Sequence, residues 1–271
     1  MPFIVAIAGL LGLLVGSFLN VVIYRVPLKR SIVNPPSACP DCGHRLAWYE
    51  NVPILSWVVL RAKCRECKEP ISVRYPLVEV STGLFFALIT WFVLSTFEQG
   101  PADAAVFVAL VALLYLAAVS VALTGIDVDT RTLPNVIVLP SYVVVIVLLG
   151  AASLLSGDIG ALARGLIGMV ALFALYYAMA LVYRGGMGFG DVKLAGVLGF
   201  VLAWSGWDVF AVGAFAPFLL GGIFGIALIA FTKAGRKTRV PFGPWMLAGA
   251  WVGIFTGAVV ARAYLSFVGL A

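Results

Sequence analysis

Six side chains in this sequence have the type and spacing to do chemistry. Cys39-Pro-Asp-Cys42 and Cys64-Arg-Glu-Cys67 are two CxxC turns separated by 21 residues. Each turn offers two thiolates, and four thiolates close a tetrahedral site around one ion, the pattern of structural zinc. All four positions being cysteine leaves no open coordination place, so the metal's task there is to hold the fold. Close pairs also suit metal binding in a reducing compartment better than a disulfide framework. The other two candidates are carboxylates. Gly185-Gly186-Met187-Gly188-Phe189-Gly190-Asp191-Val192-Lys193 is a glycine-dense loop between two apolar runs, ending in an acid and an amine. An ionisable group at a membrane boundary is costly and is a functional candidate by default, although a solvated turn would read the same way. A second acidic loop, Gly125-Ile126-Asp127-Val128-Asp129-Thr130-Arg131-Thr132-Leu133-Pro134-Asn135, follows another apolar run.

Two carboxylates that share a site cannot both ionise readily. One then takes a proton from water while the other polarises a carbonyl, which is aspartic-protease chemistry. It requires neither a Ser or Cys nucleophile nor a catalytic metal, and HExxH is absent. Asp127 lies nearer its apolar run and is the better partner for Asp191; Asp129 reads as a solvated or capping group. His44, the only histidine, reads as a partly exposed polar residue rather than a metal or substrate contact. Arg131 and Lys193 would favour an ionised carboxylate, but both read first as cytoplasmic anchors of the membrane spans.

The elements that must position these groups are membrane helices. Of 271 residues, 63% are hydrophobic and only 11% are charged, which excludes an ordinary soluble domain and implies a polytopic membrane protein. The net charge of +6 follows membrane side rather than marking a nucleic-acid surface, so no nucleic-acid partner is expected. Residues 2–24 form an uncharged apolar run without a basic start or a cleavage site, hence a first transmembrane helix and not a cleaved signal. Residues 25–76 hold nine Lys and Arg, all four Cys and several prolines, and form the polar zinc module. Further apolar runs at 77–97, 104–126, 136–155, 161–183, 194–207, 209–232 and 242–268 make about eight spans, seven of them in a membrane domain over 77–271. Placing the polar module in the cytoplasm also places Arg131, Arg184, Lys193, Lys233, Arg236, Lys237 and Arg239 there, leaving only Arg164 and Arg262 of the eighteen basic residues outside. Glu98, Asp103, Asp158 and Asp208 then fall in outer loops, and both termini are external. The run 194–207 would rise only about 21 Å as a helix, short of the ~30 Å hydrocarbon core. Its helix must therefore begin near Asp191, or the glycine loop must lie below the membrane surface. Trp48-Tyr49-Glu50-Asn51-Val52-Pro53-Ile54-Leu55-Ser56-Trp57 mixes aromatic and polar groups and suits docking of the module on the membrane interface.

Taken together, Gly188-Phe189-Gly190-Asp191, Gly16-Ser17-Phe18-Leu19-Asn20-Val21-Val22-Ile23-Tyr24-Arg25-Val26-Pro27, the paired CxxC turns, Tyr75-Pro76-Leu77-Val78-Glu79 and the Asp127–Asn135 loop resemble the bacterial type IV prepilin peptidases, aspartic proteases with a GxGD signature. The resemblance implies an inner-membrane enzyme that cuts type IV prepilin or pseudopilin precursors on the cytoplasmic side, after the Gly that ends a short basic leader. Many members then methylate the new N-terminal residue, often Phe, with S-adenosylmethionine, and members with intact CxxC pairs tend to do both. The family's first catalytic Asp precedes Leu-Pro by six and seven residues, which falls on Asp127; the second falls on Asp191. Gly188, Gly190, Lys193, Arg131 and Asn135 fall in the supporting loops. Glu79 reads as a first-turn residue favoured by the helix dipole, and its place at the membrane edge keeps it a candidate for the methyl-transfer cofactor.

Other classes compete with this reading. A proton-coupled transporter using Asp127 and Asp191 as a relay would prefer carboxylates near the midplane and paired internal repeats, and the two acidic loops are unlike each other. A peptidase without methyltransferase activity and a non-catalytic assembly factor held by the zinc module are the remaining alternatives. Which precursors are cut, and the oligomeric state, are not written in the sequence.

Overall fold

The computed structural model describes residues 1–96, 104–182, 187–231 and 240–269, and all regular structure there is helical. The order is α1 (Pro2–Arg25), a 3-10 turn (Trp48–Asn51), α2 (Leu55–Val59), α3 (Arg74–Thr96), α4 (Ala104–Thr130), α5 (Asn135–Ser156), α6 (Ile159–Val182), α7 (Phe189–Ser205), α8 (Trp207–Phe231) and α9 (Gly243–Phe267). Apart from α2 and α7, every one of these helices is long and apolar enough to cross a membrane, seven in all. Several hydroxyls within them close onto their own backbone, as Thr82 does on Val78 O, Ser120 on Leu116 O and Ser141 on Ile137 O, which satisfies polar groups away from water.

Of three boundaries, two differ from the sequence reading and the start of α7 beside Asp191 is one of its two alternatives. The expected loop at 125–135 is mostly helix: α4 continues through Asp127 and Asp129 to Thr130. Nothing in that stretch stops it until Arg131, whose φ of +54° turns the chain before Pro134 and whose N–H closes on Asp127 O at 2.8 Å. The end of the glycine loop is likewise helical. Gly188 is the N-cap of α7, and Phe189, Gly190 and Asp191 form its first turn. Glu79 sits in the second turn of α3 and not the first, because that helix begins two residues before Pro76. Arg184, Gly185, Gly186, Lys233, Arg236, Lys237, Arg239, Glu98 and Asp103 lie outside the described residues.

The chain divides into two compact units, Met1–Ala102 with Leu113–Ile126, and Asp103–Ala112 with Asp127–Ala271. In the first, α1 runs along α3. A Cβ on Gly12 would stand 2.8 Å from Gly83 Cα, and one on Gly16 would stand 2.7 Å from Glu79 Cα. Small residues thus let the two backbones approach, which is how membrane helices pack without a hydrophobic driving force. In the second unit, α7 packs against α5, α6, α8 and α9. Val192 and every residue from Leu194 to Ala203 are buried. At 17 residues, α7 rises about 26 Å, less than the ~30 Å core. It is surrounded by protein, so it need not span the bilayer by itself.

Candidate functional site

Asp127 is 4% exposed, whereas Asp129 is exposed. Two residues along a helix turn a side chain to another face, so helical geometry separates the two acids. The carboxylate of Asp127 accepts a hydrogen bond from Gly243 N–H at 3.0 Å. Gly243 opens α9 and is followed by Pro244, so its N–H is one of the unpaired donors at a helix start, where a negative charge is favoured. Asp191 is placed by the same principle. Its Oδ2 accepts Gly188 N–H at 3.0 Å while its own N–H donates to Gly188 O at 3.0 Å, a reciprocal cap at the start of α7. The two carboxylates are near enough for their charges to interact. Leu133 packs beside both: a Cβ on Gly190 would meet Leu133 Cβ at 2.9 Å, and one on Gly243 would meet Leu133 Cδ2 at 3.2 Å. Tyr176, 1% exposed, also feels the charge of Asp191 and packs on Phe218 and Phe242.

The remaining predicted loop residues divide. Lys193 Nζ donates to Asn135 Oδ1 at 2.9 Å and lies 4.9 Å from the Phe189 ring centroid, so the residue expected as an anchor ties the start of α5 to the first turns of α7. Tyr142 O–H donates to Lys193 O at 2.6 Å and strengthens the same joint. Arg131 is exposed and serves as the left-handed stop of α4. Sequence reasoning missed Gly243, Leu133, Tyr142 and Tyr176. The Phe-Gly-Pro run signals a helix start, but no local rule says which carboxylate its free N–H will meet.

In the other unit the sulfurs of Cys39, Cys42, Cys64 and Cys67 all lie within 4.8 Å of one another. Cys39 and Cys67 stand 3.8 Å apart, and Cys42 and Cys64 stand 3.9 Å apart. Tetrahedral Zn–S bonds of about 2.3 Å place sulfurs about 3.8 Å apart, so the cluster fits a metal ion of that kind. The two turns have one construction. Cys39 N–H donates to His44 O and Gly43 N–H to Cys39 O, as Cys64 N–H does to Glu69 O and Lys68 N–H to Cys64 O. Backbone N–H groups of Cys67 and Glu66 aimed at Cys64 draw its thiol down to about 7, against the cost of burial. That favours the thiolate at Cys64; at Cys67 a backbone bond from Glu69 acts the same way, but burial and the neighbouring sulfurs push the thiol up to about 12. Glu50, 8% exposed, ties the turns together: its Oε2 accepts Ala47 N–H at 2.9 Å and faces His44 Nε2 at 3.1 Å. Its Oε1 has no hydrogen-bond partner and faces Arg65 Nη1 at 3.9 Å. The Ala47 N–H holds this carboxyl below the usual range, opposed by burial and helped by His44 and Arg65. Glu79 is 8% exposed and its Oε2 accepts Ile54 N–H at 2.7 Å.

A helical membrane protein with an interacting carboxylate pair in one unit and four clustered cysteines that could hold a metal ion in the other is the class these features define. Comparison with known proteins narrows it. The bacterial peptidase A24 N-terminal domain matches residues 10–93, and the type IV leader peptidase family matches residues 114–230. A prepilin leader peptidase/N-methyltransferase of Stutzerimonas stutzeri is 34% identical over 97% of this chain and 94% of its own. That of Aeromonas hydrophila is 37% identical over 95% and 92%, and that of Myxococcus xanthus is 43% identical over 88% and 67%. No solved structure matches the chain. The chain belongs to the type IV leader peptidase family.

Proposed function

We propose that this chain is an aspartic endopeptidase of the bacterial inner membrane. It removes the leader of type IV prepilin-like precursors at a Gly–Phe type bond on the cytoplasmic side, and it methylates the amine so released. One observation supports the reading above the rest: Asp127, buried, interacts electrostatically with Asp191 while each carboxylate accepts a backbone N–H at a helix start. The pair holds one proton between them as a unit. The ionised member takes a proton from a water whose oxygen attacks the scissile carbonyl carbon, and the protonated member donates to the carbonyl oxygen. The tetrahedral diol then collapses, the C–N bond breaks, and the departing nitrogen receives a proton from the pair. Gly190 lets α7 begin close to Leu133, Gly188 leaves room for the Asp191 carboxylate, and the Lys193–Asn135 bond keeps the two helix ends in register.

Cys39, Cys42, Cys64 and Cys67 would hold zinc, which folds the module and takes no part in the hydrolysis. S-adenosylmethionine would supply the methyl group to the new N-terminal amine. The carboxylate that the sequence offers for that cofactor, Glu79, is already engaged by Ile54 N–H and nearly closed to solvent, which makes it a joint of the fold and a poor ligand.

The test is cleavage of a purified prepilin-type precursor by the protein in lipid. Asp127→Asn and Asp191→Asn should each lower the rate by about 10²–10⁴-fold, the usual worth of an acid–base group, while Asp129→Asn keeps it. Cleavage unaffected by either substitution at the pair would leave the transporter or assembly-factor reading in its place. Methyl transfer is read separately, by label transfer to mature pilin; its absence with cleavage intact reduces the protein to a peptidase.

A further inference from the structure

The five residues of α2 present an apolar face that none of the described residues covers. Leu55, Val58 and Val59 fall at positions i, i+3 and i+4, one side of the helix, and are 60%, 57% and 70% exposed. The other residues of α2 turn inward. Ser56 Oγ donates to Val52 O at 2.7 Å, and Trp57 Nε1 donates to Ile71 O at 3.1 Å. Single exposed aliphatics are ordinary on a soluble surface, but three together on one short helix are an interaction site.

Two hydrogen bonds fix the level at which this face sits. Ile54 N–H, at the start of α2, reaches Glu79 Oε2 in the second turn of α3 at 2.7 Å, and α3 is a membrane helix. Ile54 holds a φ of +61° there, a strained conformation for a β-branched residue that persists only when its surroundings impose it. Trp57 is held to Ile71, three residues before α3 begins. The helix α2 is therefore tied at its start and at its middle to the first turns of α3 and the residues just before them. At that same level Tyr75 and Leu77 of α3 and Tyr24 of α1 are 46%, 59% and 56% exposed, as side chains in contact with lipid would be. Trp48, 83% exposed, supplies an aromatic of the type that settles among headgroups. Arg61 and Lys63 follow α2 directly and are exposed, where cations meet lipid phosphates.

We propose that α2 is an interfacial foot: Leu55, Val58 and Val59 lie in the headgroup–acyl boundary of the leaflet that α1 leaves and α3 enters, with Arg61 and Lys63 on anionic headgroups. The partner is the lipid surface. The foot fixes the tilt of the metal module against the membrane, which neither of its two helical tethers could do alone.

The full-length protein is tested in nanodiscs containing phosphatidylglycerol, with Val59 replaced by the photocrosslinker benzoylphenylalanine. Metal content equal to the wild type certifies that the module is folded; where it is not, Leu55 is the alternative labelling position. Irradiation should yield phospholipid adducts by mass spectrometry. Arg61→Glu with Lys63→Glu in the labelled chain should lower the yield by about fivefold for each cation lost on anionic discs, and leave it unchanged on neutral phosphatidylcholine. Adducts to a second copy of the chain, adducts to an added precursor peptide in place of lipid, or no adduct at either position would each overturn the proposal.

Discussion

Among the described residues Asp127 has one donor, Gly243 N–H, and that donor has no room for a side chain. A Cβ on Gly243 would stand 2.7 Å from Asp127 Oδ2 and 3.3 Å from Cγ. Gly243→Ala should therefore rotate the carboxylate or shift the start of α9, and a displacement near 1 Å at a reacting group costs about 10²-fold in rate. The measurement is prepilin cleavage beside a thermal melt: the rate should fall while the melt stays near wild type, since one methyl at a helix start leaves the packing of α9 intact. Glu50 poses the matching question in the metal module. Its carboxylate faces His44 from the first cysteine turn and Arg65 from the second. Glu50→Gln keeps the shape and removes the charge. A charged hydrogen bond is worth about 1.5–3 kcal/mol, so zinc retention against a chromophoric chelator should drop by about tenfold or more. An unchanged retention would mean that the cysteines alone set the affinity.

At the scale of elements the two cysteine turns share one geometry but not one set of residues. The residue after the second cysteine of the first turn is Gly43, with φ of +73°, and its counterpart in the second turn is Lys68, with φ of +62°. A Cβ at Gly43 would meet nothing within 4 Å, so Gly43→Ala carries only the left-handed backbone penalty, roughly 1–2 kcal/mol. Lys68→Gly should relieve the same strain. Apparent zinc affinity should move down for the first and up for the second, and movement in one direction for both would exclude backbone conformation as the cause. This pairing was invisible in the sequence, where the turns share little but their cysteines. The CxxC spacing itself was legible, because four ligands in two short turns are a local pattern. So were the long apolar runs, since a span of lipid admits few alternatives to an apolar helix. What sequence did not give was where helices stop. Polarity marks the edge of the membrane, and α4 runs past that edge to Thr130 because no breaker lies before Arg131. Nor was the donor to Asp127 legible, since Gly243 is 116 residues away.

For the molecule as a whole, the two compact units divide the candidate residues. All four cysteines lie in the unit of Met1–Ala102 with Leu113–Ile126, while Asp127 and Asp191 both lie in the other. The two matched family regions divide them the same way, residues 10–93 holding the cysteines and 114–230 holding both acids. A structural zinc site contributes about 10–16 kcal/mol of binding free energy to the domain that it folds, more than the whole stability of a typical domain. Stripping the metal should therefore unfold the small module, whose few helical residues have little apolar core. The aspartate site would keep its supports, for Gly243, Leu133, Lys193 and Asn135 all belong to its own unit. Incubation with a strong chelator should make the chain's four thiols reactive towards a thiol reagent. Cleavage of the precursor should persist along the same time course. Should cleavage decline in step with thiol exposure, the metal module would have to act in peptide hydrolysis, and the aspartate site would not be independent of it.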